Sequence, residues 1–467
     1  MDLDPVFLSR VQFAFVISCH IIFPAFTIGL AAWLATIEGA RLLTGNPLYR
    51  RVFDFWIKIF AVSFGMGVVT GIVMAFQFGT NWGVLAEKTG SIQGPLLGYE
   101  AFTAFMLEAT FFGVMLLGRE RVSPRFYFFA CCMVSLGTMF SSFWILANNS
   151  WMQVPLGHSI VDGKIIPADW WEITTGPIMQ VRWPHMLLAA FLTTGMCVAA
   201  TGAWYFLRGI HRAEARVMLH WGLALVAVLI PIQLLFGHLT GLYLYKHQPA
   251  KLAAIEARWH FEQPGTEVWF AWPDEKEMRN RFVIQTQGIG SLIDTGDWNA
   301  PMQGLTDFPE EDRPPVVIPF FAFRIMVGMG LIMLAVSWFG NLLRFRGRLE
   351  TTRWFLRGTL LSFPTGFIAV LSGCYTAEVG RQPWVVYGLL RTKDAVTPSL
   401  TTGDVLVSLS GYVIVYAVIM SFGIYYIYKL LREGPTDEAQ GFQGAMARRS
   451  MAFAGGADSA TGSGREG

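Results

Sequence analysis

The sequence predicts an all-α polytopic membrane protein with nine transmembrane helices, and three observations support this fold class. Hydrophobic residues make up 53% of the 467 residues and charged residues only 15%, whereas soluble domains carry about 25% charged residues. The chain is also rich in aromatic residues, with 38 Phe and 17 Trp. Apolar stretches long enough to cross a bilayer core, about 20 residues each, recur along it. This composition excludes a secreted disulfide scaffold, a soluble dinucleotide-binding enzyme and a nucleic-acid-binding protein.

Each apolar stretch is predicted to be one membrane span, and no internal repeat of fixed period relates the spans. The first stretch has no basic region before it and no small-residue cleavage site, so we interpret it as a retained helix and not as a signal peptide. The ninth is the most interrupted by Ser and Gly. The predicted spans are 11–38, 53–78, 97–118, 126–147, 184–207, 217–240, 316–343, 355–376 and 405–429.

The distribution of arginine predicts the orientation of these spans. The links after spans one, three, five and seven are rich in arginine, whereas those after spans two, four and eight are poorer in basic residues. Because basic residues concentrate on the cytoplasmic side, we expect the N-terminus outside and the C-terminus in the cytoplasm. The arginines concerned are Arg41, Arg50, Arg51, Arg119, Arg121, Arg125, Arg208, Arg212, Arg216, Arg344, Arg346, Arg348, Arg353 and Arg357.

Two segments fall outside the predicted bundle. Residues 241–315 form an outward loop far longer than ordinary connections, and such loops are usually functional. Residues 434–467 are rich in Gly, Ala and Ser, so they are predicted to be a disordered cytoplasmic tail. The sequence therefore predicts a membrane domain over 1–433 that contains the loop.

Polar side chains inside the spans indicate where function lies, because ionisable groups are costly in a membrane. With a rise of about 1.5 Å per residue, His20, Glu100, His185 and Glu378 fall in the outer half of four different helices, and Met326 lies at similar depth. Imidazole and thioether groups are ligands of haem iron, and bundles hold cofactors between inward-facing side chains. The pattern indicates a redox centre near the outer face; packing histidines, interfacial carboxylates and a core methionine are the alternative.

A second set of polar residues extends toward the cytoplasm. Lys58 lies near the inner end of span two, and Glu108 lies near mid-membrane, about 80° around a regular helix from Glu100. Chains of carboxylates and hydroxyls are typical of proton relays, and Ser141 and Ser142 add hydroxyls. The hypothesis is an inward proton path; a snorkelling lysine and a glutamate bonded to a neighbouring helix are the alternatives.

Several motifs carry a resemblance to a known family. They are the blocks LSRVQFAF, CHIIFPAFTIG, GVVTGIVMAFQFGTNW, GYEAFTAFMLEATFFG, WILANNSWMQVP, RWPHMLL, KLAAIEARW, FRIMVG and GRQPW. On these motifs the chain resembles subunit I of the cytochrome bd-type quinol oxidases, near the cyanide-insensitive branch with a short quinol loop. The resemblance covers nearly the whole chain. It implies a quinol:oxygen oxidoreductase, a terminal oxidase of the bacterial inner membrane that oxidises ubiquinol or menaquinol outside and reduces oxygen to water with cytoplasmic protons.

The resemblance also implies three haems and their ligands. His185 and Met326 match the axial pair of a low-spin haem b. His20 and Glu378 match the iron ligands of two high-spin haems, a haem b and either a haem d or a further haem b, and which ligand serves which haem is left open. Glu100 matches a carboxylate beside the oxygen site. The residues implied to support the haems are Arg324, Arg381 and Trp384.

The remaining implications concern the substrate, protons and partners. Lys251 and Glu256 match the quinol contacts of the outward loop, which the resemblance makes the periplasmic quinol-binding loop, and Lys58, Glu108 and Ser141 match the cytoplasmic proton path. The family implies a second hydrophobic subunit, subunit II, with a small single-span subunit as a further option. One departure is clear: where many members carry Trp four residues before the ligating Glu, this chain has Cys374 followed by Tyr375.

Two other classes of function compete with this interpretation of the residues. A haem-b membrane anchor would only relay electrons, and it gives no reason for Glu378 or for the long outer loop. A proton-coupled transporter would account for Lys58 and Glu108 without any haem. Such transporters often contain inverted repeats, which the sequence does not display. Haem absorption bands distinguish the three classes.

Overall fold

The computed structural model describes residues 4–435 of the chain. Within this range nine helices are long and apolar enough to cross a membrane. Each predicted span coincides with one of them, the third running one residue past the end of its helix, which confirms the predicted fold class. Apart from Gly434 and Pro435, the predicted tail 434–467 lies outside the described residues. The nine helices are Pro5–Thr44, Pro47–Thr80, Gly83–Leu117, Pro124–Gln153, Trp170–Arg208, Arg212–His247, Glu310–Phe345, Arg353–Val379 and Thr402–Glu433.

Five spans are single helices, and four are composite. The single helices are α1 (Pro5–Thr44), α2 (Pro47–Thr80), α5 (Pro124–Gln153), α8 (Arg212–His247) and α14 (Thr402–Glu433). The third span comprises α3 (Gly83–Thr103), a π-helical turn (Ala104–Ala109) and α4 (Thr110–Leu117). The fifth comprises α6 (Trp170–Thr175) and α7 (Pro177–Arg208), the seventh a 3₁₀ turn (Glu310–Asp312) followed by α11 (Val317–Phe345), and the eighth α12 (Arg353–Leu361) and α13 (Thr365–Val379).

Local sequence sets where the single helices begin. Asp4, Asn46 and Ser123 each precede a proline and accept a hydrogen bond from a backbone N–H of the first turn, at 2.6, 2.9 and 3.3 Å. A short polar acceptor satisfies an otherwise unpaired donor, and proline suits the first helical position because its missing N–H is not needed there. The capping box between Thr401 and Asp404 begins α14 in the same way.

The helices extend beyond the predicted spans, and the third and sixth spans are examples. The third span begins at Gly83, although apolarity alone places its start at 97, and α8 continues to His247, inside the predicted outer loop. Hydropathy detects the part of a helix that lies in the bilayer core, whereas helical hydrogen bonding continues into the polar flanks. Pro364 has the opposite effect, since it stands in the gap between α12 and α13 within the predicted span 355–376.

The fifth span is the most buried of the nine and lies at the centre of the bundle. Its helix α7 packs closely on α8, where a Cβ atom at Gly222 would lie 2.8 Å from the carbonyl oxygen of Gly195. It also packs closely on α1, since a Cβ atom at Gly29 would meet the Thr194 hydroxyl. Small residues allow membrane helices to approach in this way.

The outer loop is folded rather than irregular. It contains α9 (Pro249–Ile255), a hairpin of β3 (Thr266–Asp274) and β4 (Arg279–Gln287), and α10 (Ile289–Thr295). Two further hairpins lie outside the apolar cores, β1 (His158–Val161) with β2 (Lys164–Pro167), and β5 (Trp384–Val386) with β6 (Leu390–Arg391). The architecture is thus helical in its spans, with small antiparallel sheets between them.

Candidate redox active site

Glu378, a predicted metal ligand, lies at the end of α13 among strong hydrogen-bond donors. Its Oε2 accepts a bond from Arg381 Nη2 at 2.5 Å, and its Oε1 accepts bonds from Asn149 Nδ2 at 3.1 Å and Gln153 Nε2 at 3.2 Å. Asn149 and Gln153 both come from the last turn of α5. The end of span four therefore holds and orients the carboxylate at the end of span eight.

Lys251, a predicted quinol contact, reaches the same place from α9 in the outer loop. Its Nζ donates to the carbonyl oxygen of Ala377 at 2.8 Å and to Oε1 of Gln153 at 3.0 Å. Burial lowers the pKa of Lys251 well below its ordinary value, and the positive charges of Arg182 and Arg381 lower it further. A single side chain, Gln153, thus connects the predicted quinol residue Lys251 to the predicted metal ligand Glu378.

The surroundings of Glu378 carry more positive than negative charge. Arg182, Arg381 and Lys251 all act electrostatically on this one carboxylate. Two guanidinium nitrogens of Arg381, Nε and Nη1, are buried without a hydrogen-bond partner in the described part of the chain. A buried cationic group of this kind requires an anionic acceptor. The propionates of a haem are such acceptors, so the residues present fit a haem at this place.

His20 lies on α1 and is oriented by α2. Its Nδ1 is 2.8 Å from the Thr70 hydroxyl, which itself donates to the Met66 carbonyl at 2.9 Å. With that donation made, the hydroxyl accepts a bond from Nδ1, and the lone pair of Nε2 is left for a metal, the usual second-shell arrangement of ligating histidines. A Cβ atom at Gly71 would lie 3.2 Å from the imidazole Cε1, so glycine at this position leaves room beside the ring.

His185 and Met326 also face glycines on neighbouring helices. A Cβ atom at Gly237 would lie 3.4 Å from Cε1 of His185, and one at Gly373 would lie 2.9 Å from the Met326 sulfur. The Nδ1 of His185 is buried with no hydrogen-bond partner among the described residues. Its Nε2 lies 3.3 Å from Gln233 Nε2. Space beside each side chain and an unpaired ring nitrogen both fit iron ligation.

Arg324, a predicted haem-supporting residue, joins α11 to the outer loop. Its guanidinium donates to the carbonyls of Ile255 at 2.8 Å and Val268 at 2.9 Å, and to Oε2 of Glu256 at 3.1 Å. Glu256 is the second predicted quinol contact, and Met326 follows Arg324 by two residues. Lys251 is therefore linked through Gln153 to Glu378, and Glu256 is bonded to Arg324, two residues before Met326. Each predicted quinol residue is thus connected to a segment that carries a predicted metal ligand.

The predicted proton-path residues are only partly brought together. Ser141 donates to Oε1 of Glu100 at 3.0 Å. Glu108 is buried against Gly137, and its Oε1 has no hydrogen-bond partner in the described range. Within residues 4–435, no hydrogen bond or ion pair joins Lys58 to Glu108 or Ser141. The structure thus connects Ser141 to the outer glutamate.

The π-helical turn Ala104–Ala109 begins four residues after Glu100 and contains Glu108. The angle of about 80° expected for these two residues assumed a regular α-helix, so that expectation does not hold for this span. A π-turn inserts an extra residue into the helix and is frequent at functional sites. Its presence beside two intramembrane glutamates is a feature that sequence periodicity did not reveal.

Two aromatic side chains complete the outer region. Trp384 of β5 lies under the guanidinium of Arg391, 4.6 Å from ring centroid to Cζ, rather than on Arg381. Tyr375 follows the Cys374 that departs from the family pattern, and its hydroxyl is 2.7 Å from the Ser18 hydroxyl on α1. Tyr375 therefore connects the helix of Glu378 to the helix of His20.

Sequence reasoning missed the uncharged residues that orient these groups. Thr70, Gln233, Asn149 and Gln153 were not singled out, because they carry no charge and an ionisable side chain is the more conspicuous group in an apolar run. The concentration of amides at the end of span four, in ANNSWMQ, was the signal available for two of them. An amide in an apolar helix also needs partners.

Fold and geometry together define a class: a polytopic membrane protein whose spans bring predicted iron-ligand side chains beside a folded loop. The chain matches the family described as cytochrome bd terminal oxidase subunit I over residues 8–435. It therefore belongs to that family. The family confirms the predicted class of enzyme, a respiratory membrane oxidoreductase of the terminal quinol oxidase type, and excludes the anchor and transporter alternatives. Haem binding is expected for its members.

Individual relatives agree with this membership. Cytochrome bd-II ubiquinol oxidase subunit 1 of Escherichia coli (strain K12) is 31% identical, with 93% of this chain and 97% of that protein covered. Cytochrome bd ubiquinol oxidase subunit 1 of Bacillus subtilis (strain 168) is 32% identical, with 91% and 93% covered. The solved bd oxidase of Geobacillus thermodenitrificans superposes with a TM-score of 0.86 at 26% identity, covering 92% of this chain and 99% of that one.

Proposed function

We propose that this chain is the catalytic subunit of a quinol:oxygen oxidoreductase in a bacterial inner membrane. Quinol, ubiquinol or menaquinol, is oxidised at the outer face by the loop 241–315, and oxygen is reduced to water with protons taken from the cytoplasm. The N-terminus lies outside and the C-terminus inside. Residues 1–433 then form the haem-binding membrane domain.

One observation supports this proposal: each of the two proposed quinol residues is hydrogen-bonded to a side chain that lies on, or is bonded to, a segment carrying a proposed iron ligand. Gln153 lies between Lys251 and Glu378. Arg324 binds Glu256 two residues before Met326. Electrons leaving a quinol held by the outer loop therefore have a short distance to the ligand-bearing helices.

The quinol residues supply acid–base chemistry. Oxidation of a quinol to a quinone breaks two O–H bonds and releases two protons and two electrons, and the electrons finally reduce oxygen. Glu256 accepts one proton as general base. Lys251 donates a hydrogen bond to the second quinol oxygen and orients the ring. The two residues approach from opposite ends of the short helix α9 and its cap, so they address the two oxygens without neutralising each other.

The iron ligands are assigned to haems as follows. His185 and Met326 hold a low-spin haem b, while His20 and Glu378 hold the two high-spin haems, one haem b and either a haem d or a further haem b. Once bound, these haems transfer electrons and bind oxygen. Arg381, with its two unpaired nitrogens, would bind an acidic group of the haem, while Arg324 fixes the outer loop on α11 and Trp384 packs beside this region.

Protons reach the oxygen site from the cytoplasm through side chains of spans two to four. Lys58 is the inner entrance, and Glu108 is the mid-membrane station. Ser141 and Glu100 form the outer end, supported by their hydrogen bond of 3.0 Å. Consuming protons from inside while releasing quinol protons outside separates charge across the membrane without a pump. The complex includes subunit II, with a small single-span subunit as a further component.

Spectra of the purified oxidase test the proposal. We expect reduced-minus-oxidised bands of both low-spin and high-spin haem, with pyridine extraction identifying the haem types. Replacing a proposed iron ligand, His20→Ala, should abolish quinol-driven oxygen consumption. The matched replacement His260→Ala, on the exposed surface of the outer loop, should leave it intact. Oxygen consumption that persists in His20→Ala would overturn the assignment of the oxygen site.

A further inference from the structure

The outer loop and the start of α11 contain a group of buried and half-buried charged residues that extends beyond the quinol residue Glu256. We name it the outer carboxylate cluster: Glu256, Glu267 and Asp294, with the guanidinium groups of Arg258 and Arg324. Arg324 Nη2 lies 3.1 Å from Glu256 Oε2, and Arg258 Nη2 lies 3.7 Å from Asp294 Oδ2. Glu267, on β3, interacts electrostatically with all four other members.

The cluster is buried but incompletely hydrogen-bonded. Glu256, Arg258 and Asp294 are only 4%, 3% and 6% exposed. Yet Nε and Nη2 of Arg258 and Oδ2 of Asp294 have no hydrogen-bond partner among the described residues. Buried polar groups are normally paired. Arg258 Nη2 lies 3.7 Å from Asp294 Oδ2, and Arg258 Nε lies 3.9 Å from Glu262 Oε2. Both gaps are too wide for a direct hydrogen bond, which leaves donors and an acceptor available to a bridging water.

The charges do not balance if every group is ionised. The three carboxylates of the cluster face two guanidinium groups, and Glu262 adds a fourth carboxylate 3.9 Å from Arg258 Nε. Burial, together with the negative charge of Glu256, raises the pKa of Glu267 to about 8 and that of Asp294 to about 7. A shared proton therefore resides in the cluster near neutral pH.

Local backbone structure places these groups together. Ala257 adopts a left-handed conformation with φ 49° between Glu256 and Arg258. The N–H of Arg258 bonds back to the Ala253 carbonyl at 2.8 Å, which is the pattern of a Schellman cap. The chain reverses at this point. Both flanking side chains consequently lie on the inner side of the outer loop, where Arg324 binds one of them.

The elements packed around Glu267 and Asp294 bring no further charge of the described residues into direct contact with them. Asp294 lies on α10 with the backbone of Gly241 of α8 beside it, 4.0 Å from Oδ1 to an ideal Cβ position. Glu267 is paired across the hairpin with Thr286 of β4. The charged groups that act on the pair are thus Glu256, Arg258 and Arg324, with Glu262 acting through Arg258.

We propose that Glu267 and Asp294 are positioning residues for quinol oxidation, forming with Glu256 a relay that receives the quinol proton and passes it to the outer aqueous phase. The inference rests on the proposed function, because it takes Glu256 to be the quinol base. In the step concerned, a quinol O–H bond breaks, its proton moves to a Glu256 carboxylate oxygen, and the electrons leave toward the iron ligands and finally to oxygen. The proton then passes through the shared site at Glu267 and Asp294, which regenerates the Glu256 carboxylate.

The test uses the complete oxidase in detergent or proteoliposomes with the variants Glu267→Gln and Asp294→Asn. Both changes preserve shape and remove a titratable group. Quinol-driven oxygen consumption should fall on the order of tenfold, while KM for quinol stays near the unmodified value. The acidic limb of the pH–kcat profile should move to lower pH by about half a unit or more, because one repelling carboxylate has been removed.

A second measurement separates a relay from a merely structural role. Oxygen consumption driven by a chemical one-electron reductant that releases no proton should be unchanged in both variants, since no quinol proton is then involved. Glu310→Gln, the same chemical change on an exposed residue of the same loop, should behave as the unmodified oxidase with both donors. Loss of activity with both donors, or an unmoved acidic limb in both variants, would overturn the relay.

Glu256→Gln distinguishes the failure of this inference from the failure of the proposed function. If Glu256→Gln loses quinol-driven activity while Glu267→Gln and Asp294→Asn keep the original rate and profile, the relay is wrong and the quinol site stands. If Glu256→Gln itself oxidises quinol normally, the assignment of the quinol base is wrong, and the relay is overturned with it.

Discussion

Gln153 donates a hydrogen bond from Nε2 to Oε1 of Glu378 across 3.2 Å. The same amide accepts a hydrogen bond from Nζ of Lys251 at 3.0 Å through its own oxygen. A single uncharged side chain at the end of span four thus connects a lysine of the outer loop to a carboxylate of span eight. Because an amide both donates and accepts, it links the two charges without adding one.

This relationship predicts that Gln153 couples quinol binding to the environment of Glu378. In Gln153→Leu, the buried Glu378 and Lys251 each lose a partner, and an unsatisfied buried group costs about 1–3 kcal/mol. We expect a raised KM for quinol together with a shifted high-spin haem spectrum. Steady-state kinetics and reduced-minus-oxidised spectra measure the two effects.

The control for this prediction is Gln180→Leu, the same substitution at an exposed glutamine near the start of α7. Its amide bonds only to the Thr175 carbonyl, at 3.0 Å, so neither the KM for quinol nor the spectrum should move. A Gln153→Leu oxidase with both properties unchanged would contradict a coupling role.

The outer carboxylate cluster predicts a pH dependence of stability. The pKa of Asp294 is raised to about 7 when folded, chiefly by burial, from an ordinary value near 4. The folded state then binds more protons than the unfolded state between these values, so this contribution to stability is lost as pH rises through that window. Asp294→Asn should therefore lessen the fall in thermal unfolding midpoint between about pH 4 and pH 7.

The matched comparison is Asp162→Asn, in the exposed turn between β1 and β2. Its unfolding midpoint should follow the unmodified pH curve. If the midpoint of Asp294→Asn declined more steeply than that of the unmodified protein over the same pH range, the buried carboxylate would be ionised in the folded state, and the expected sign of the pH dependence would be wrong.

A buried ion cluster at the inner ends of spans one to three predicts a large effect on stability. Glu38 has a fully buried side chain and lies 2.7 Å from Arg41 Nη2 and 3.1 Å from Arg119 Nη2. Removing one partner of a buried pair leaves an uncompensated charge and costs about 3–5 kcal/mol. Glu38→Ala should lower the thermal unfolding midpoint of the oxidase strongly.

An exposed ion pair nearby supplies the contrast. Glu120 is 2.7 Å from Arg50 Nη2, but its side chain is 68% exposed, and surface pairs contribute about 0–1 kcal/mol. Glu120→Ala should therefore barely change the midpoint. Equal shifts for Glu38→Ala and Glu120→Ala would mean that burial does not determine the strength of these ion pairs.

The sequence predicted the nine spans because each needs only a run of apolar residues, a property of neighbours in the chain. It also indicated His20, His185 and Glu378, because an ionisable group in such a run is conspicuous. It did not reveal Gln153, whose amide has no charge, or the π-turn that contains Glu108, which depends on backbone hydrogen bonding rather than on apolar spacing.

The outer carboxylate cluster was beyond sequence reasoning for a different reason. Glu256, Glu267 and Asp294 lie on separate elements of the outer loop, and each alone is an ordinary loop charge. They meet only because Ala257 reverses the chain and because Arg324 on α11 binds both the Glu256 carboxylate and the Val268 carbonyl. Side-chain proximity of this kind is set by tertiary packing, which no local pattern encodes.

The close contact between Gly137 and Glu108 predicts that space at mid-membrane limits proton uptake. A Cβ atom at Gly137 would lie 2.7 Å from Cγ of Glu108, so Gly137→Ala must displace the glutamate side chain. If Glu108 carries protons inward, the quinol-driven rate should fall several-fold in proteoliposomes, with haem content preserved.

The control Gly113→Ala adds the same methyl group at a position with nothing within 4 Å and should leave the rate unchanged. An undiminished rate in Gly137→Ala would remove Glu108 from the proton path, because a displaced relay side chain cannot conduct protons at the original speed.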